Sequence, residues 1–183
     1  MKAFVLSTLA FALAVPAFAQ GQAAADPYAS ILEAAPPNQR AGATIIKWKA
    51  DYTYDTLRKG TNRLVCYELS GMPGQQPFSI ECTSEANLPR AAQNLKFEAA
   101  GDKARTQALL DEAEKSGTRE KPEFGSVWFH LQGASKEQAR KHMTVALPGA
   151  TTASTGLPDS PMKGGAWIMN AGTSTAHLMI PGE

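Results

Sequence analysis

The stretch from residue 44 to residue 69, TIIKWKADYTYDTLRKGTNRLVCYEL, decides the fold class of this chain. It contains three runs rich in β-branched and aromatic residues, which are typical of strands. We predict strands over 44–49, 52–58 and 63–69, the last two joined by a turn at 59–62. Consecutive strands joined by short turns predict antiparallel hairpins.

Helices and further strands follow this stretch. An alternating run over 78–82 predicts a fourth strand, and apolar residues at helical spacing predict a helix over 88–99. Asp102 as N-cap and the closing pair Ser116-Gly117 predict a second helix over 102–115. Ser135 and Gln138 match a capping box, which predicts a short third helix to about His142. Later strands are predicted over 126–132, 145–147, 165–169 and 176–180. This order predicts an α+β fold: a mostly antiparallel sheet with two or three helices inserted in the middle of the chain.

The first 19 residues have the three parts of a secretory signal peptide. Lys2 supplies the basic region, the stretch from there to Ala14 is almost wholly apolar, and Ala17-Phe18-Ala19 matches the cleavage site. The apolar stretch is shorter than the roughly 20 residues that a membrane span needs. We therefore expect cleavage after Ala19, export to the periplasm or the medium, and no membrane anchor after cleavage.

Three regions follow from these signals. Residues 1–19 are the predicted signal peptide, and residues 20–42 are expected to form a flexible N-terminal segment with a short helix that starts at Asp26-Pro27. Residues 43–183 are predicted to form a single secreted α+β domain. The chain left after cleavage, about 164 residues, is long enough for one domain with its own core.

The charge balance argues against a nucleic-acid partner. The chain has 18 basic and 17 acidic residues, and the loss of Lys2 with the leader leaves 17 of each. A neutral chain has no basic surplus with which to hold a phosphate backbone. The sequence also lacks a P-loop, a Rossmann glycine pattern, an HExxH motif and a CxxC motif.

Cys66 and Cys82 are the two cysteines of the chain. An even count and an oxidising compartment favour one disulfide between them. Turn-forming residues between the two cysteines allow this segment to fold back on itself: Gly71, Pro73, Gly74 and Pro77. A redox pair or a metal-thiolate pair is the alternative, although the spacing is far from C-x-x-C.

His177 and Met179 form an H-x-M pair on a predicted strand, so their side chains project from the same face. Imidazole and thioether donors suit Cu(I), which makes these two residues candidate metal ligands and copper the candidate cofactor. Met169 is a further thioether on the preceding predicted strand. The alternative role for these residues is core packing; apart from copper, no cofactor is expected.

Other groups of residues suggest chemistry more weakly. His130, His142 and His177 could in principle bind zinc, but they lie on separate elements without H-x-H or H-x-x-x-H spacing. Residues 172–176, GTSTA, are similar to the segment around the nucleophile of subtilisin-like proteases, but the other motifs of that family are missing, which favours a simple turn. Four aromatic residues of the first strands suit cross-strand packing or a sugar platform: Trp48, Tyr52, Tyr54 and Tyr67.

Four segments resemble an uncharacterised group of small secreted bacterial proteins: LRKGTNRLVCYEL (57–69), SIEC (79–82), SVWFHLQG (126–133) and GAWIMNAGTSTAHLMIPG (165–182). Members share a GTN turn before a cysteine, a second cysteine, a glycine-rich strand and a late end with Trp, then His and hydrophobic residues. Here Ala176 stands where a proline often precedes the histidine. The group has no established activity, so the resemblance implies a secreted domain with paired cysteines and draws attention to His177 and the turn at 58–62.

These observations lead us to expect a non-catalytic binding or structural domain, because no catalytic motif is present. Two alternatives stay open. One is a small hydrolase with an unrecognised site near His177 or His130. The other is a soft-metal protein that binds copper through His177 and Met179.

Overall fold

The computed structural model describes residues 26–180; the predicted signal peptide, residues 1–19, lies outside the described residues. Eight strands lie in this part of the chain: β1 (Thr44–Trp48), β2 (Tyr54–Arg58), β3 (Leu64–Glu68), β4 (Phe78–Ser84), β5 (Val127–Gly133), β6 (Arg140–Ala146), β7 (Trp167–Met169) and β8 (His177–Met179). The α-helices are α1 (Leu88–Glu98), α2 (Lys103–Ser116) and the single turn α3 (Thr152–Thr155). Four 3-10 helices cover Ile31–Ala34, Pro37–Gly42, Glu85–Asn87 and Pro161–Lys163.

All eight strands form one sheet in the order β2-β1-β3-β4-β5-β6-β8-β7. Neighbouring strands are antiparallel throughout, except that β1 and β3 are parallel. With α1 and α2 between β4 and β5 in the chain, this arrangement confirms the predicted α+β class with a mostly antiparallel sheet.

The predicted hairpin between the second and third strands is wrong, because β1 lies between β2 and β3. Thr44, Ile45, Ile46 and Trp48 are buried, so β1 is covered on both faces, as is typical of a strand inside a sheet. The neighbouring strands β2 and β3 pair with its backbone on either side. β2 lies at one edge of the sheet and is exposed along nearly its whole length.

The described part of the N-terminal segment, residues 26–42, packs against the sheet. Leu32, Ala34 and Ala35 are buried in one cluster with core residues of four strands. The side chain of Arg40 ties the two 3-10 helices together, since its Nε donates to the carbonyl of Ala35 (3.0 Å) and its Nη2 to that of Glu33 (3.2 Å). The short helix predicted here is therefore a 3-10 turn, and it forms part of the core instead of a flexible extension.

The opposite face of the sheet packs against α1. Leu88, Ala91 and Leu95 bury one side of this helix against strand residues that include Trp48 and Tyr67. The rings of Trp48 and Tyr67 meet edge to face with centroids 5.5 Å apart. The aromatic residues of the first strands thus contribute cross-strand packing.

A buried amide joins α1 to the strands on both sides of it in the sequence. Asn87 is fully buried, and its Nδ2 donates to Thr83 Oγ1 (2.7 Å) and to Ser126 Oγ (2.9 Å). Its Oδ1 accepts from the backbone amide of Glu123 (2.8 Å). Every polar group of this buried side chain has a partner. These hydrogen bonds fix the start of α1 relative to β4 and β5.

The predicted helix from Ser135 to about His142 is wrong, since β6 begins at Arg140 and includes His142. Ser135 donates its hydroxyl to Glu137 Oε2 (2.8 Å) and caps no helix. β6 pairs with β5 on one side and with β8 on the other. The two ladders of backbone hydrogen bonds outweigh a local capping preference, which is worth only about 1 kcal/mol.

The predicted disulfide between Cys66 and Cys82 is confirmed. The two residues lie directly opposite each other on β3 and β4, and both are completely buried. Between residues 26 and 180, no helix combines the length and the apolar character needed to cross a membrane.

Candidate functional site

All three histidines of the chain line one cavity of about 410 Å³. His130 lies on β5, His142 lies directly opposite it on β6, and His177 lies on β8, the next strand of the sheet. The order of the strands thus brings together three side chains that the sequence places on separate elements.

The cavity lies on the face of the sheet that carries α1. One side of it is formed by Arg90, Asn94 and Glu98, which follow one another at the helical spacing of four residues along α1. The floor consists of inward-facing residues of the strands, which alternate with residues of the opposite face. Besides the histidines, these strand residues include Glu81, Trp128, Thr144, Met169 and Met179.

A chain of hydrogen bonds orients His130. The Tyr67 hydroxyl donates to Glu81 Oε2 (3.0 Å), and His130 Nδ1 lies 3.0 Å from Glu81 Oε1. Burial raises the pKa of Tyr67 well above its ordinary value, so the phenol keeps its proton and remains a donor. With Nδ1 donating to the carboxylate, Nε2 is the acceptor nitrogen of the neutral ring.

The environment of His142 disfavours the charged form of its ring. Its ring centroid lies 5.9 Å from that of His130. Burial, together with the nearby charges of His130 and His177, lowers the pKa of His142 below its ordinary value of 6.5. His142 is therefore a neutral hydrogen-bonding and ligating group at pH 7.

His177 also has a defined tautomer. Its Nδ1 lies 2.7 Å from the backbone carbonyl of Thr175, and because a carbonyl only accepts, Nδ1 carries the proton. Nε2 is again the nitrogen with a lone pair. Met169 lies directly opposite His177 on β7, and Met179 lies two residues further along β8 on the same face.

Buried Arg90 holds the loop that leads into β8. Its guanidinium donates to the carbonyl of Glu120, to Ser174 Oγ (3.2 Å) and to Thr175 Oγ1 (2.8 Å). Burial lowers the pKa of Arg90 to about 10, which leaves the group charged at pH 7.

Glu114 of α2 completes this contact. Its carboxylate accepts from the backbone amide of Ser174 (3.3 Å) and from the hydroxyls of Ser174 and Thr175. The Ser and Thr residues of the GTSTA segment are thus occupied in fixing the loop beside His177.

The two residues predicted as copper ligands, His177 and Met179, share the cavity with Met169. Copper binding there stays a prediction. The three histidines share the cavity too, but within residues 26–180 no three His, Cys, Asp or Glu side chains are close enough together to hold a metal ion.

Glu81, Arg90 and Glu98 are site residues that our sequence analysis missed. A signal for Glu81 was present: if Cys66 and Cys82 are paired across two antiparallel strands, Tyr67 must lie opposite Glu81. No comparable signal exists for Arg90 and Glu98, whose positions depend on how α1 packs on the sheet.

No protein-family profile, curated protein or solved structure matches this chain. The resemblance to a group of small secreted bacterial proteins therefore stays a prediction.

Proposed function

We propose that this protein is an exported, non-catalytic binding domain whose ligand occupies the histidine cavity. The observation that carries the proposal is the convergence of His130, His142 and His177 on one cavity of about 410 Å³. Small-molecule sites combine such a volume with a few convergent polar groups. The N-terminal sequence pattern and the buried disulfide support export.

The hydrogen bonds of the site favour binding over covalent catalysis. Ser174 and Thr175 are the hydroxyl residues next to His177, and both are engaged with Arg90 and Glu114. Among the described residues, no Ser or Thr hydroxyl donates to a histidine ring. Nucleophilic catalysis by a hydroxyl needs such a pairing with a base.

The charges of the cavity favour a cationic or hydrogen-bond-donating ligand. The acceptor nitrogens of His130 and His177 and the carboxylates of Glu81 and Glu98 all belong to its lining. Arg90 is the cation of the lining, and its guanidinium already donates three hydrogen bonds to the carbonyl and hydroxyl groups of the neighbouring loops. These bonds within the protein favour a cation or a hydrogen-bond donor over an anion in the cavity.

The test is a thermal-shift screen of protein produced from the full-length sequence, against metal ions, primary amines, polyamines and sugars. A ligand present at 100 times its Kd should stabilise the fold by about 2.7 kcal/mol. We expect one of these classes to raise the Tm of the wild type and to lose its effect in His142→Gln and in Thr144→Tyr, which fills the cavity. Met143→Gln is the matched control, because this neighbour of His142 faces the other side of the sheet.

If none of these classes of ligand raises the Tm of the wild type, the cavity is not the binding site. The same conclusion follows if Met143→Gln abolishes an increase in Tm that Thr144→Tyr preserves. Native mass spectrometry of protein from its own compartment is a second readout, because it detects a ligand that co-purifies. A ligand mass that persists in Thr144→Tyr would contradict the proposal in the same way.

The Glu81–His130 pair favours a second function, hydrolysis by a water molecule that His130 activates. A carboxylate that orients a histidine through Nδ1 leaves Nε2 able to accept a proton from water. A panel of nitrophenyl esters and phosphate esters tests this function. Turnover that His130→Gln abolishes and Met143→Gln preserves would favour the hydrolase; turnover that is equal in the two variants would point to a contaminant.

A further inference from the structure

We propose that the ligand of the cavity is Cu(I), held by Met169, His177 and Met179 on the hairpin of β7 and β8. This inference rests on the proposed binding function, since the three residues line the same cavity. It names the ligand and assigns Met169, the further thioether noted in the sequence, to the same site as the predicted pair.

The register of the hairpin brings the three donors to one face. Met169 and His177 are direct partners across the two strands, which sets their Cβ atoms about 5 Å apart. Met179 follows His177 by two residues, so its side chain lies on the same face about 7 Å along the strand. Methionine has three rotatable side-chain bonds, which allow both sulfur atoms to close on an ion beside the imidazole.

Neighbouring residues orient the imidazole of His177, which is the nitrogen donor of the site. The hydrogen bond from His177 Nδ1 to the carbonyl of Thr175 (2.7 Å) leaves Nε2 as the ligating atom. Thr175 is itself held by Arg90 (2.8 Å) and by Glu114 (3.2 Å). Metal-binding histidines are typically oriented in this way by a hydrogen bond from the second ring nitrogen to a carbonyl or a carboxylate.

The donor set selects a soft ion. Two thioethers and one imidazole suit Cu(I), whereas zinc, calcium and magnesium prefer sets with carboxylates, thiolates or several imidazoles. The carboxylates of Glu81 and Glu98 line the same cavity and favour a positive charge in it. Copper can also reach the donors, because Met169 is 45% exposed.

The experiment is an anaerobic titration of protein from the full-length sequence with Cu(I), in competition with bicinchoninate. We expect one ion per chain, with two sulfur ligands and one nitrogen ligand in X-ray absorption spectra. Met169→Leu, Met179→Leu and His177→Gln should each weaken binding by about tenfold or more. Leucine keeps the volume of methionine and removes only the sulfur, so these variants are expected to fold.

Met162→Leu and Met143→Leu are the matched controls. Met162 is almost fully exposed on the 3-10 helix Pro161–Lys163, and Met143 faces the other side of the sheet. Binding should be unchanged in both variants. If the protein does not compete with bicinchoninate for Cu(I), or if Met169→Leu and Met179→Leu bind as tightly as the wild type, the copper site is refuted.

The failure of this inference and that of the proposed function are separable. Another ligand that stabilises the wild type and loses its effect in Thr144→Tyr would leave the binding function standing and refute copper. Loss of both the Cu(I) signal and every thermal shift would refute both. Cu(I) binding that all three ligand variants weaken, with the controls unchanged, would support both.

Discussion

Removal of the disulfide between Cys66 and Cys82 should destabilise the fold by an amount that the structure allows us to work out. The two residues are 16 apart in sequence, and the bridge restricts the unfolded chain by closing this loop. The loop-entropy relation predicts a loss of about 3 kcal/mol at 25 °C for a loop of this size. For a chain of this length, that loss corresponds to a decrease in Tm of about 6–12 °C.

The assay compares the wild type with the double variant Cys66→Ala/Cys82→Ala in guanidinium and thermal unfolding, each with and without reductant. Both sulfur atoms are buried, so the reductant acts on the unfolded chain and each sample must be unfolded and refolded in it. We expect the reductant to lower the stability of the wild type by about 3 kcal/mol and to leave the double variant unchanged.

Two results would refute this reasoning. If oxidised and reduced wild type unfold at the same midpoint, the bridge does not stabilise the protein by restricting the unfolded chain. If the double variant loses far more stability than reduced wild type, packing of the two sulfur atoms in the core, and not loop closure, is the main contribution of the cysteines.

Three further changes test other parts of the structure. Arg90→Met removes the three hydrogen bonds of a buried guanidinium and should cost about 3–5 kcal/mol in urea unfolding. Gly60→Ala should cost about 1–3 kcal/mol, because the new Cβ would lie 2.2 Å from the carbonyl oxygen of Gly42. Burial raises the pKa of Glu98, so the folded protein retains a proton that the unfolded chain releases above the ordinary value of 4.5. The stability that Glu98 contributes is thus present at low pH and is lost as the pH rises through the raised pKa. In the same urea assay, the free energy of unfolding of Glu98→Gln should therefore increase relative to that of the wild type as the pH rises above 4.5.

Exposed neighbours provide the controls for these changes. Arg105→Met and Glu112→Gln alter the same kinds of residue on the surface, and Lys59→Ala places an alanine at the exposed position next to Gly60; we expect all three changes to stay within about 0.5 kcal/mol. Equal losses in Arg90→Met and Arg105→Met would show that the buried guanidinium does not hold the loop before β8. A constant difference between Glu98→Gln and the wild type across the pH range would contradict the raised pKa.

Most strands and both long helices were predictable, because residue types, spacing and caps along the chain report local structure. β1, β3 and β4 match runs of β-branched, aromatic or alternating residues, and α1 matches the helical spacing. α2 was predictable from its caps: Asp102 accepts from the backbone amide of Arg105, and Gly117 ends the helix in the left-handed conformation. The helix predicted after Ser135 failed because a capping pattern reports only local preference. The partners of β6, which are β5 and β8, decided its structure.

The candidate site was predictable only in part. His177 and Met179 could be assigned to one face because they are two residues apart on a strand. The sequence could not show that His130 and His142 lie beside His177, since this requires β6 to lie between β5 and β8. Arg90 and Glu98 join the site through the packing of α1, which no spacing along the chain reveals.

The sequence by itself determined the pairing of the cysteines, the faces of the strands and the α+β class, because these depend on residue type and short periods. Only the tertiary structure decided that β1 runs parallel to β3 and that three histidines surround one cavity. Strand order is a choice among many non-local pairings. It depends on which strands can bury both faces and on the free-energy cost of closing each loop, and both are properties of the whole fold.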